Sequence, residues 1–142
     1  MRNLWPEQFD LAAVKSTKSL LGEQASFLAK LTGGIVDAEV VEVGYMDAKF
    51  RGLPTNGEFL YSFELVGRFV DNYRFRVFYF WHDIGLYPVT FKLDDQVVAE
   101  LGWSPDGLIS ARDEENAEEI IGMVFGSLRL KRVVGSIMSL SK

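Results

Sequence analysis

From Phe59 to Leu93 apolar and polar side chains alternate with a period of two, a rhythm that demands a sheet with one face turned to a core. Phe59, Tyr61, Phe63 and Leu65 share one parity, with Glu58, Ser62, Glu64 and Arg68 on the other. Tyr73, Phe75, Val77, Tyr79 and Trp81 continue the odd series, followed by Tyr87, Val89, Phe91 and Leu93, then Val97, Ala99, Leu101 and Trp103. Together with the valine-rich "IVDAEVVEV" from Ile35, the pattern predicts an antiparallel meander of four to five strands within 35–103, odd face inward.

Turn chemistry sets an expected register. "DIG" at 83–85 suits a three-residue hairpin loop with Gly85 left-handed, pairing His82 with Leu86 and Trp81 with Tyr87. In the preceding hairpin, pairing Arg68 with Asn72 places Glu64 across from Arg76, Glu58 across from His82, and Gly67 under the ring of Tyr73. The alternative, Arg68 against Arg74, opposes two cations. "RGLPTNG" at 51–57 and "SPDG" at 104–107 read as turns.

Helices flank the sheet. Leu20, Leu21, Ala25, Phe27, Leu28 and Leu31 fall on one arc of a helix over 16–32, capped by Ser16 or Thr17 and stopped by Gly33-Gly34. Gln24 projects into that arc. Ser110 with Asp113 resembles a capping box, and Ala117, Ile120, Ile121 and Val124 follow at helical spacing. The stripe then slips phase to Leu130, Val133, Val134 and Ile137, which predicts a break at Gly126-Ser127 and two helices within 111–141. The fold class is α+β in one domain over 1–142, with an N-terminal segment at 1–15.

Composition narrows the chemistry. The chain of 142 residues holds no cysteine and one histidine, which excludes disulfides, thiol nucleophiles and thiolate metal sites. A net charge of −5 disfavours nucleic acid, and no apolar run reaches the roughly twenty residues of a spanning helix. Pro6, Glu7 and Asp10 interrupt any export signal, so a cytoplasmic protein is expected. No phosphate loop, dinucleotide fingerprint or nucleophile elbow occurs, and no cofactor is expected.

The even face of the aromatic strand is the first candidate site. Arg74, Arg76, Phe78, Phe80 and His82 share that parity, with Leu60, Val66, Leu86 and Pro88 on neighbouring strands. Such a mixed face calls either for cover from within the chain, by a terminal helix or by the N-terminal segment with Leu4, Trp5 and Phe9, or for a partner. The second candidate is the run "DEENAEE", where Asp113, Glu114, Glu115, Glu118 and Glu119 gather at a helix start and suit a basic protein. Arg129, Lys131 and Arg132 are expected in intramolecular ion pairs. His82-Asp83 makes no catalytic dyad, because strand neighbours point to opposite faces.

In size, charge and architecture this pattern resembles bacterial secretion chaperones and the immunity proteins that neutralise toxins. The resemblance carries over no residues. It implies a non-enzymatic protein-binding domain; the competing expectation is a small-molecule binder or enzyme with a pocket between sheet and helices, using His82, Gln24 or Tyr87. Pro88 removes a ladder donor near a sheet edge, which leaves a homodimer open.

Overall fold

A computed structural model describes residues 1–10, 14–55 and 58–142. Helix α1 (Thr17–Leu31) is followed by strand β1 (Val36–Glu42), a short helix α2 (Tyr45–Phe50), and strands β2 (Phe59–Gly67), β3 (Tyr73–His82) and β4 (Val89–Leu93). Helix α3 (Asp95–Leu101), strand β5 (Leu108–Ala111), and helices α4 (Glu114–Phe125) and α5 (Leu128–Leu140) complete it. The five strands form one antiparallel sheet in the order β1-β2-β3-β4-β5, the α+β meander expected from the alternation. Asn56 and Gly57 of the predicted 51–57 turn lie outside the described residues.

Helix α1 starts where Ser16 Oγ accepts the Ser19 amide at 3.1 Å and ends at Gly33 and Gly34, both at positive φ. Thr32 stitches it to β1, donating to the Leu28 carbonyl at 3.0 Å while its hydroxyl accepts the Val36 amide at 3.1 Å. The predicted break falls at Gly126, and Ser127 Oγ caps α5 by accepting the Leu130 amide. Glu100 of α3 reinforces that start, accepting the Leu128 and Arg129 amides at 2.7 and 3.0 Å.

One residue changes the sheet's internal logic. Gly67 opposes Tyr73, Leu65 opposes Phe75 and Glu64 opposes Arg76 as expected, but Phe63 then opposes Phe78, so Val77 is a β-bulge without a partner. Beyond it parity inverts: Phe78, Phe80 and His82 turn to the core face, and Phe59 rather than Glu58 meets His82. The physical reason lies in the side chains. Strict alternation would drive the Tyr79 hydroxyl and the Trp81 indole N–H into an apolar core and strand Phe78 and Phe80 beside two arginines. With the bulge, Phe78 packs face to face with Phe63 and edge-on against Phe91.

The next hairpin departs from expectation as well. Trp81 pairs with Thr90 and Phe80 with Phe91, so 83–88 is a longer connection, and the positive φ belongs to Leu86 instead of Gly85. Asp83 Oδ1 accepts the Gly85 amide and closes an early turn, and Pro88 has no N–H for the ladder, so pairing with β3 resumes at Thr90 and pairing with β5 at Val89. The expected strand through Val97 to Trp103 is instead α3. Asp94 caps it by accepting the Gln96 and Val97 amides, Gly102 at φ 69° ends it, and Val97 and Val98 are both buried. The last strand is β5, where Ser110 bonds Thr90 at 3.1 Å; Asp113 alone caps α4 through the Asn116 amide. Helix α2 was not foreseen.

Gly67 is glycine for a tertiary reason. A Cβ there would stand 2.8 Å from Ile137 Cγ2, so α5 lies directly on the β2 backbone, and Tyr73 is not its cover.

Candidate functional site

The core face of the sheet carries α1 on one side and the α4–α5 pair on the other, and the two walls do not close. Between α1 and α5 lies a cleft of ≈ 530 Å³, within the range of small-ligand and side-chain pockets. Phe63 and Leu65 of β2 form its floor with Leu130. Gln24, Phe27, Leu28 and Leu31 form one wall; Val134, Gly135 and Met138 form the other. A second cleft of ≈ 260 Å³ continues it between α1 and α4, bounded by Leu20, Glu23, Glu118, Ile121 and Gly122. Gln24 and Phe125 line both, so the two are halves of one groove along α1.

Two observations mark this groove as unfinished within the chain. Phe27 and Leu31, assigned by periodicity to the core arc, are 55% and 83% exposed at its rim. Gly122 and Gly135 sit inside helices, where glycine costs roughly 0.5–1 kcal/mol relative to alanine, yet a Cβ at either would meet nothing within 4 Å. Nothing inside the fold requires them to be bare. Both lie on the groove wall, so the missing side chains keep the groove wide.

The groove is polarised. Glu23 and Glu118 stand at the α4 end and Lys131 at the α5 end; Glu23 is held by Lys15 at 2.8 Å, and Lys131 has no ion pair among the described residues.

The structure divides the first candidate set. Phe78 and Phe80 are 1% and 0% exposed in the core cluster, so neither can anchor a partner. His82 is buried too, stacked on Phe59 at 5.6 Å, with Nδ1 2.7 Å from the Asp83 carbonyl, which can only accept. The segment bearing Leu4, Trp5 and Phe9 covers none of them, for all three are exposed. Arg74 and Arg76 lie on the opposite face, where Arg74 pairs with Glu39 and, at 3.1 Å, with Glu64.

The acidic run is partly spent on the fold. Asp113 caps α4, and Glu114 accepts the Lys15 amide at 2.7 Å, holding the start of α1. Glu115, Glu118 and Glu119 remain exposed. Of the basic trio, Arg129 pairs with Asp94 at 3.5 Å, whereas Lys131 and Arg132 make no ion pair among the described residues, contrary to expectation.

Gln24, His82 and Tyr87 do not converge. His82 borders a separate shallow depression with Lys18 and Leu86, and the Tyr87 hydroxyl donates to the Lys15 carbonyl at 2.6 Å. Among the described residues no three His, Asp or Glu side chains gather to hold a metal, and no helix is long and apolar enough to cross a membrane. A pocket between sheet and helices with Gln24 at it was the competing expectation, and Gln24 lines the groove; the roles of Gly122 and Gly135 in its wall were not foreseen. No family model, curated protein or solved structure compared with the chain matches it.

Proposed function

We propose that this chain is a non-enzymatic protein-binding domain whose working surface is the groove between α1 and the α4–α5 pair, and whose target is an amphipathic helical segment of another protein. The observation that carries the reading is the pair of helix glycines, Gly122 and Gly135, that hold the wall open at a cost the fold itself does not need. From Leu20 to Leu31 the α1 wall runs about 16 Å, three helical turns at 1.5 Å per residue. That length accepts apolar anchors at i, i+3/i+4 and i+7 of a docked helix. The acidic end favours the helix N-terminus and Lys131 its C-terminus. Both roles drawn from the resemblance, toxin neutralisation and secretion chaperoning, use a non-catalytic surface of this kind.

Affinity capture from the host lysate tests it with two variants. Gly135→Trp fills the groove from an unobstructed position, and replacement of Glu114, Glu115, Glu118 and Glu119 by Gln removes the acidic run. A partner lost with Gly135→Trp supports the groove. A partner kept by Gly135→Trp but lost with the glutamine variant moves the site to the start of α4.

A further inference from the structure

The face of the sheet turned away from α1, α4 and α5 holds a second feature. Tyr79 is 8% exposed and its hydroxyl has no hydrogen-bond partner among the described residues; the Arg76 Nε–H, also buried, has none among them either. Arg76 lies over the Tyr79 ring with its guanidinium carbon 4.4 Å from the centroid, which satisfies the face of the cation but leaves its N–H edge free. Glu64, across the ladder, is committed to Arg74 at 3.1 Å and Ser62 at 2.9 Å, and Arg76 makes no ion pair among the described residues. Arg51, which follows α2, is the second cation beside the Tyr79 hydroxyl, and its Nε donates to Asp47 at 2.9 Å.

Unpaired buried donors are costly, and two of them side by side call for one acceptor. We propose that Arg76, Tyr79 and Arg51 bind an oxyanion of the phosphate class, carried by a ligand distinct from the groove's occupant. Donors converging from β3 and from the end of α2 suit a tetrahedral acceptor with several oxygens. Burial pushes the Tyr79 hydroxyl pKa up; the Arg76 and Arg51 cations beside it pull it down, and the Asp47 and Glu64 carboxylates push it up.

Thermal unfolding in inorganic phosphate against chloride at matched ionic strength tests this. Wild type should gain about 4 °C at phosphate well above its dissociation constant. Tyr79→Phe, which deletes only an unpartnered hydroxyl, should fold with an unchanged or higher Tm in chloride and lose most of the gain; Arg76→Gln should lose it entirely. The Arg76 Nε–H resonance of wild type should shift on titration with phosphate. An equal gain in Tyr79→Phe, no gain in wild type, or the same gain from acetate would each overturn the assignment.

Discussion

Phe63 of β2 lies directly across from Phe78 of β3, while the next residue of β2, Glu64, lies across from Arg76, so Val77 between them stands outside the ladder. That single extra residue decides which half of the aromatic strand is core. It removes Phe78, Phe80 and His82 from the exposed surface, so the apolar opening proposed for a partner is the groove beside α1.

Phe78→Ala and Phe80→Ala should each cost about 3–5 kcal/mol, as for large-to-small changes in a packed core. Arg74→Ala, on the ion-paired outer face, should stay within about 1 kcal/mol. Urea unfolding of the three variants separates a bulged strand from a strictly alternating one, in which Phe78 and Phe80 would be surface residues.

Much of this was legible in the chain. Helix α1, the break at Gly126-Ser127 and the Glu64–Arg76 pairing follow from local periodicity and turn chemistry, which act over a few residues. The bulge did not, because an inserted residue leaves the alternation on each side intact and is chosen by packing across strands. Helix α3 was hidden by coincidence: Val97, Ala99 and Leu101 satisfy a period of two, while Val97, Val98 and Leu101 satisfy a helical arc. A pocket beside Gln24 was legible in outline, but its rim was not, because Phe27 and Leu31 look like core residues until the position of α5 is known.

Gly67→Ala should destabilise the protein by about 1–3 kcal/mol, the range for overpacking, because its methyl would meet Ile137 Cγ2 at 2.8 Å. In an Ile137→Ala background the same change should cost much less. A double-mutant cycle by chemical denaturation reads the coupling.

Gly135→Ala should do the reverse and stabilise by roughly 0.5–1 kcal/mol, since the helix gains propensity and the methyl meets open space. A Tm about 2–4 °C above wild type is the expected reading.

Stability should fall in alkali through Tyr79 and Tyr87. Burial raises both hydroxyls above the ordinary 10.0, so the unfolded chain releases these protons first. Protons bound in the unfolded state then fall below those in the folded state, and stability drops as pH rises from about 10. Urea midpoints between pH 9 and 11 should decline less steeply in Tyr79→Phe and Tyr87→Phe than in wild type.

The most direct test of the groove uses the absence of cysteine. Gly135→Cys creates a single attachment point on the groove wall for a solvent-sensitive fluorophore, and Lys49→Cys on α2 provides the matching control. With a captured partner added, emission from position 135 should shift to the blue while position 49 stays unchanged. A shift at 49 with none at 135 would contradict the assignment of the groove as the binding surface.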